Sequence, residues 1–183
     1  MRKEEIRKVY SEKRRFIERN IITLFSGKIR EELLNSFDFE GKNVSLFTSM
    51  ESKNEVKTSN FFDFTKVNVY APVMKPNNQL EHVHITPSTE WRENKWGILE
   101  PLKGELITPA EFDFVIVPLL VADKRGYRTG YGGGFYDRFL AECSEKCKFI
   151  GVGFYDLIEE IEDINEFDIQ LHYYVQPEKL TKF

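Results

Sequence analysis

The sequence predicts an α/β fold, a three-layer αβα sandwich around a mostly parallel sheet, in a single domain spanning residues 1–183. Three observations carry that expectation. The run from Glu111 to Val121 is apolar at almost every position, the mark of a strand buried on both faces in a parallel sheet covered by helices. Strand-like and helix-like stretches alternate along the chain, as in βαβ units. A glycine-rich loop follows the most apolar strand at its C-terminal end, where ligands bind in open α/β sheets.

Each element follows from local pattern. Between Met1 and Asn35, Ile6, Val9, Tyr10, Phe16 and Ile17 recur at helical spacing, as do Ile21, Leu24 and Phe25. This predicts one long helix, or two with a break between Ser11 and Gly27. Its basic residues Lys3, Arg7, Arg14 and Arg15 read mostly as solvated charge, although Lys3 and Arg7 share a face and could meet one anion together. Asn43 to Phe47 is short and β-prone, a first strand. Thr48 to Thr58 is polar and predicts a loop, leading into a helix that ends near Lys66. Val67 to Ala71 reads as a second strand ended by Pro72, and Leu80 to Ile85 alternates as a third, with His82 and His84 on one face. An HxH pair can ligate a metal, but no third ligand stands nearby. Trp91 to Pro101 is a loop or edge segment able to present an aromatic face. After the apolar run, Phe135 to Cys147 predicts a helix and Phe149 to Phe154 a buried strand in which Gly151 and Gly153 permit close approach. Glu159 to Asp168 is acidic surface, and Tyr173 to Val175 a last strand before Pro177.

Composition narrows the function classes. The chain is 41% hydrophobic and 31% charged, with 16 Phe, enough apolar surface for one ring-rich core. A formal net charge of -4 does not favour nucleic acid, so an anionic ligand needs a local cluster of cations. Cys143 and Cys147 form neither a zinc pair nor a redox CxxC, and read as partly buried thiols in a reducing compartment. There is no apolar run long enough for a membrane helix and no apolar stretch behind the charged N-terminus. A cytoplasmic monomer without nucleic-acid or membrane partners is the expectation.

The chemistry concentrates in Asp123-Lys-Arg-Gly-Tyr-Arg-Thr-Gly-Tyr-Gly-Gly-Gly-Phe-Tyr-Asp137. Glycines let backbone N–H groups approach a ligand closely, and a helix starting near Gly134 adds free N–H groups and a favourable dipole. The alternative is a glycine-rich hairpin tip. Two common nucleotide loops do not fit: no lysine lies between Gly126 and Asp137, and Gly130-Tyr-Gly132 leads to Phe135 where a dinucleotide turn needs glycine. The surrounding groups still suit a polyphosphate. Arg125 and Arg128 can form bidentate contacts with phosphate oxygens. Asp137, one turn into the helix, is placed to hold a metal, since a carboxylate beside phosphate needs a cation between them. Tyr131, Phe135 and Tyr136 offer a planar wall for a ring.

With Pro118 and the continuation Arg138-Phe-Leu140, this stretch resembles the signature of the 5-formyltetrahydrofolate cyclo-ligase family, also called 5,10-methenyltetrahydrofolate synthetases. Lys3-Glu-Glu-Ile-Arg7, Glu55-Val-Lys-Thr58 and Trp96-Gly-Ile-Leu-Glu-Pro101 resemble further family landmarks in the same order. The resemblance implies ATP-dependent closure of 5-formyltetrahydrofolate, with or without a polyglutamate tail, to 5,10-methenyltetrahydrofolate, using ATP and Mg²⁺. It implies ATP contacts from Lys3, Arg7, Arg125, Arg128, Thr129, Gly130, Tyr131, Gly132, Gly133, Gly134, Phe135 and Tyr136. Arg128, Tyr136 and Asp137 would be catalytic, and Asp137 and Asp168 metal ligands. Glu55, Met50 and Trp96, with Tyr131 to Phe135, would meet the folate. Phe135 stands where tyrosine is usual, Phe167 where histidine precedes the second carboxylate, and the loop Thr48 to Glu55 is two residues longer. Either Thr48 or Met50 would then face the pterin. A non-catalytic folate- or nucleotide-binding protein on the same fold is the alternative.

Overall fold

The computed structural model describes every residue from Met1 to Phe183. The N-terminal segment is two helices, α1 (Lys3–Arg15) and α2 (Arg19–Ser36), and the break falls at residues 16–18. Asn54, in the left-handed conformation, donates from its side-chain amide to the carbonyls of Arg14, Arg15 and Ile17 at this break. Carbonyls that lose their helical partners are thus satisfied by a loop 40 residues away in sequence.

The strands follow in order: β1 (Asn43–Leu46), β2 (Asn68–Lys75), β3 (Gln79–His84), β4 (Trp91–Glu93), β5 (Leu99–Pro101), β6 (Leu106–Ile107), β7 (Phe114–Pro118), β8 (Val121–Ala122) and β9 (Arg128–Thr129). Helix α3 (Phe135–Glu142) precedes β10 (Lys148–Val152), β11 (Tyr173–Gln176) and β12 (Lys179–Lys182). Eight of the strands form one sheet in the order β12-β11-β10-β7-β1-β2-β3-β6. The five from β11 to β2 pair in parallel, and antiparallel strands flank them on both sides. The expected α/β class with a mostly parallel sheet is therefore present. Its pleat sorts the apolar run: Phe114 and Ile116 pack with Ile29 and Leu33 of α2, while Val115 and Val117 pack with Phe139 and Leu140 of α3. Helix α1 takes a third position, burying Ile6 and Tyr10 against Leu120, Val121 and Ile161. No helix is long and apolar enough to cross a membrane.

Five local expectations change. The helix predicted before Lys66 is a series of turns, because the Asp63 carboxylate accepts from the Thr65 amide and hydroxyl (2.9 and 2.7 Å) and competes with helical pairing. Strand β2 runs through Pro72 to Lys75. The Ile85 amide donates to the Val69 carbonyl (2.9 Å), so Val69, Ala71 and Val73 turn their polar groups toward β3. Pro72 and Met74 face the other side, where β1 pairs only as far as Tyr70, so the missing N–H of Pro72 has no strand to serve. The apolar run is not one strand: β7 ends at Pro118 and β8 turns aside to pair with β9. Helix α3 stops at Glu142, five residues early, because the chain must reach Lys148 to pair with Phe114. Strand β12, not anticipated, returns after a turn in which Glu178 has φ +65°.

The HxH pair is engaged in packing. His82 is buried, stacks on Phe139 (4.2 Å between centroids) and lies 2.9 Å from Ser45 Oγ. Burial lowers its pKa to about 3, so it is neutral at physiological pH.

Gly151 permits the close approach that its sequence context suggested: a Cβ there would stand 2.6 Å from Leu119 Cδ2 and from Leu171 Cδ1. Gly151→Ala should therefore destabilise the fold by roughly 1–3 kcal/mol, read as a lower urea midpoint at unchanged slope. An unaltered midpoint would mean that the core has slack at β10.

Candidate active site

The parallel strands end on one edge of the sheet, and a cleft of about 1530 Å³ opens there. That exceeds the roughly 300–1,000 Å³ common for one small ligand. Lys3, Arg7, Arg128, Asp137 and Asp168 stand in it with residues 130–134, and so do Thr48, Met50, Glu55 and Trp96.

The first half is built on the glycine loop. β9 delivers Arg128 into a nearly buried position, and its guanidinium donates to Asp137 Oδ1 (2.7 Å) and to the Ile169 carbonyl. Asp137 Oδ1 also accepts from the Ile169 amide (3.2 Å). The loop, the first turn of α3 and the segment after Asp168 are thereby tied together. Gly134, with φ +69°, is the N-cap of α3, and Gly134 with the first turn of the helix lines the cleft. Arg7 crosses from α1 and donates from Nε to the Gly130 carbonyl (3.1 Å). A Cβ on Gly132, whose φ is +97°, would lie 3.2 Å from the Arg7 guanidinium. Lys3, one turn earlier on α1, pairs with Asp168 through Nζ, and both side chains are largely shielded from water. The carboxylates of Asp137 and Asp168 supply hard oxygen donors beside these cations, a pair that could contribute to holding a divalent cation.

The second half centres on Glu55, a buried carboxylate. Its Oε2 accepts from the Met50 amide (2.7 Å) and its Oε1 from the Tyr131 hydroxyl (2.7 Å). Burial pushes its pKa above the usual carboxylate range, offset in part by that amide and by the charge of Arg14. Tyr136 also lines the cleft with a buried hydroxyl that has no partner, its pKa pushed up by burial and then by the charge of Glu55. Thr48 and Met50 both line the cleft, and Thr48 Oγ1 is buried and unpartnered. Trp96, half exposed, reaches over from the β4–β5 turn. That turn is held by Asn94, which accepts from the Trp96 and Ile98 amides and donates to Glu100 Oε1 (2.9 Å). Glu100 Oε1 in turn accepts from the Met74 amide (2.8 Å), on the side of β2 that Pro72 leaves without a strand.

Three expectations are corrected, for Arg125, Arg14 and Thr129. Arg125 does not face the cleft: its guanidinium is bound to buried Asp123 (2.9 Å), to Glu160 (2.9 Å) and to the Ile161 carbonyl. Arg14 is not solvated charge but is buried at 4% exposure, donating to the Leu119 carbonyl (3.0 Å) and to the Tyr131 hydroxyl. Thr129 lies buried beneath the loop and does not line the cleft, while Phe167 stands exposed on its rim. Sequence reasoning missed the apolar wall of Phe47, Met74 and Ile98, and also Lys53; Arg138, which the sequence sets beside the glycines, lines the cleft as well. For Arg14 a signal existed: it falls seven residues after Arg7 and four after Tyr10, on the stripe that α1 buries.

A cleft of this size at the C-terminal strand ends, with cations and a glycine loop on one side and a buried carboxylate on the other, is the kind of site that an α/β enzyme builds. Comparison with known proteins sharpens that class. Residues 1–171 match the 5-formyltetrahydrofolate cyclo-ligase family. The chain is 34% identical to the 5-formyltetrahydrofolate cyclo-ligase of Haemophilus influenzae over 132 residues, 68% of this chain and 69% of that one. It is 32% identical to the Escherichia coli K12 protein of the same name over 120 residues, 63% and 66% of the two chains. It superimposes on the NMR structure of Aquifex aeolicus 5,10-methenyltetrahydrofolate synthetase with a TM-score of 0.84 at 26% identity, covering 100% of this chain and 93% of that one. The chain belongs to the 5-formyltetrahydrofolate cyclo-ligase family and is a ligase.

Gly132→Ala should force a strained φ and displace the Arg7 guanidinium. Binding of tripolyphosphate, measured by calorimetry, should weaken by about tenfold as the loop relaxes away from Arg7, and the roughly 1–2 kcal/mol cost of a left-handed residue should lower the melting temperature by about 2–8 °C. Undiminished binding would remove this loop from the anion site.

Proposed function

We propose that the chain converts 5-formyltetrahydrofolate to 5,10-methenyltetrahydrofolate, coupled to hydrolysis of ATP to ADP and phosphate. The terminal phosphoryl group of ATP passes to the formyl oxygen, N10 attacks the formyl carbon, and phosphate leaves as the ring closes. Family membership supports this reading, and one observation carries it: the glycine loop is shared by both halves of a cleft large enough for two ligands.

The reaction needs no protein nucleophile, so positioning and charge neutralisation supply the catalysis. Lys3, Arg7 and Arg128, with the backbone from Gly130 to Phe135, hold the polyphosphate. Asp137 and Asp168 would hold Mg²⁺, which offsets phosphate charge when bound. Arg128 is engaged by Asp137 (2.7 Å) until an anion competes for it. Glu55 accepts from the N–H donors of the pterin, for which a carboxylate is the complementary group. The unpartnered Tyr136 hydroxyl stands within the field of Glu55 and Arg128, able to donate to the oxygen being phosphorylated. The apolar wall of Phe47, Met74, Ile98 and Trp96 takes the ring faces.

The ultraviolet band of the methenyl product should appear when the protein meets 5-formyltetrahydrofolate with MgATP, and not without ATP. A folded protein that forms none refutes the reading and leaves the non-catalytic binder. Asp137→Ala should lose at least about a hundredfold in kcat while remaining folded, in the range seen for removing one preorganised electrostatic group. Wild-type turnover in that variant would exclude the metal role. Arg128→Ala should chiefly raise the KM for ATP, and an unchanged KM would count against the cradle.

A further inference from the structure

Glu55 makes no ion pair, yet it is 4% exposed. Its support is indirect. Arginine can only donate, so the contact of Arg14 Nη2 with the Tyr131 hydroxyl forces that hydroxyl to accept there and to direct its own proton toward Glu55 Oε1. The chain Arg14 to Tyr131 to Glu55 therefore has one polarity, and each carboxylate oxygen keeps one acceptor site for a ligand.

Arg14 is itself fixed on three sides. Its Nη1 donates to the Leu119 carbonyl (3.0 Å), just past the end of β7. Its guanidinium lies 5.4 Å from the centroid of the Tyr131 ring. Its backbone carbonyl accepts from Asn54 (3.0 Å), the residue immediately before Glu55. The end of α1, the Glu55 loop and the glycine loop are thus interlocked at one point.

Resting on the function proposed above, we propose that Arg14 and Tyr131 are positioning residues that hold Glu55 as an oriented acceptor for the pterin. Tyr131 does this from inside the glycine loop, between Gly130, whose carbonyl receives Arg7, and Gly132. Its hydroxyl serves the folate half of the cleft, and its ring and backbone serve the phosphate half. Removing the hydroxyl alone should therefore weaken folate binding and spare ATP.

The charged and titratable groups facing Glu55 are Arg14 from α1, Lys53 from its own loop, Tyr131 from the glycine loop and Tyr136 from α3. Burial raises the Glu55 pKa most, against the lowering effects of the Met50 amide, Arg14, Tyr131 and Lys53. Deleting the Arg14 charge or the Tyr131 hydrogen bond leaves burial less opposed, so the Glu55 pKa rises further. The acid limb of folate binding then moves to higher pH.

The test measures the Kd of 5-formyltetrahydrofolate without ATP, by quenching of tryptophan fluorescence across pH, beside steady-state KM values for both substrates. Tyr131→Phe, Arg14→Gln and the double variant are compared with the wild type. Each single variant should raise the folate Kd by about tenfold, as expected for a hydrogen bond to a charged group. The acid limb should move upward while the KM for ATP stays within about twofold, and the double variant should be no worse than the worse single, because both act through one contact. Wild-type Kd and pH dependence in both singles, multiplying effects in the double, or a parallel rise in the KM for ATP would each overturn the proposal. Should Arg14→Gln fail to fold, Tyr131→Phe, which keeps the ring, decides alone. A wild-type protein that neither binds nor cyclises the folate overturns the reading of the site and this inference with it.

Discussion

Two buried guanidinium groups govern how this molecule is put together at its cleft. A buried cation that lacks acceptors costs several kcal/mol, so the chain around Arg14 and Arg128 must converge to supply them. Arg128 draws in the first turn of α3 through Asp137 and the C-terminal segment through the Ile169 carbonyl. Arg14 draws in the Leu119 carbonyl and the Tyr131 hydroxyl. The two hold the N-terminal side of the glycine loop at residues 128 and 131, and Arg128 ties its far end through Asp137. A loop with this many glycines would otherwise be conformationally loose.

The rest of the fold serves the same convergence. Parallel pairing from β11 to β2 brings every C-terminal strand end to one edge. Helix α1 lies at that edge, not in either helical layer, and its residues 3, 7 and 14 meet Asp168, the Gly130 carbonyl and Tyr131 in turn. On the far side, the end of β2 carries no parallel neighbour, and Glu100 uses the free Met74 amide there to anchor the hairpin that bears Trp96. The cleft is therefore walled by a helix, a loop and a hairpin, each anchored by a buried polar contact.

Much of this was legible from the residues. The strand at the apolar run, the glycine loop behind it and a helix starting at Phe135 all follow from local pattern, because glycine conformation and apolar periodicity are local properties. Glu55, Met50, Trp96, Asp137 and Asp168 were nameable through motif resemblance, and the cleft gathers them. The failures share a cause. Arg125 and Arg14 are alike in sequence, both basic and both near polar neighbours. Asp123 engages the first, and burial beneath Tyr131 determines the role of the second. The turns at residues 59–66 and the passage of β2 through Pro72 likewise depend on side-chain competition and on where a neighbouring strand stops.

By itself, then, the sequence determined the α/β class, the order of the principal strands, the place of the glycine loop and the family to which the chain is related. Those rest on periodicity, on residues with special backbone freedom and on a long motif, all of which are written along the chain. Only the tertiary structure decided which cations face the cleft, which are bound elsewhere, and that Glu55 is held through Tyr131 by Arg14. The reason is desolvation. Whether a charge is solvated, paired or aimed at a ligand depends on what long-range packing removes from water around it.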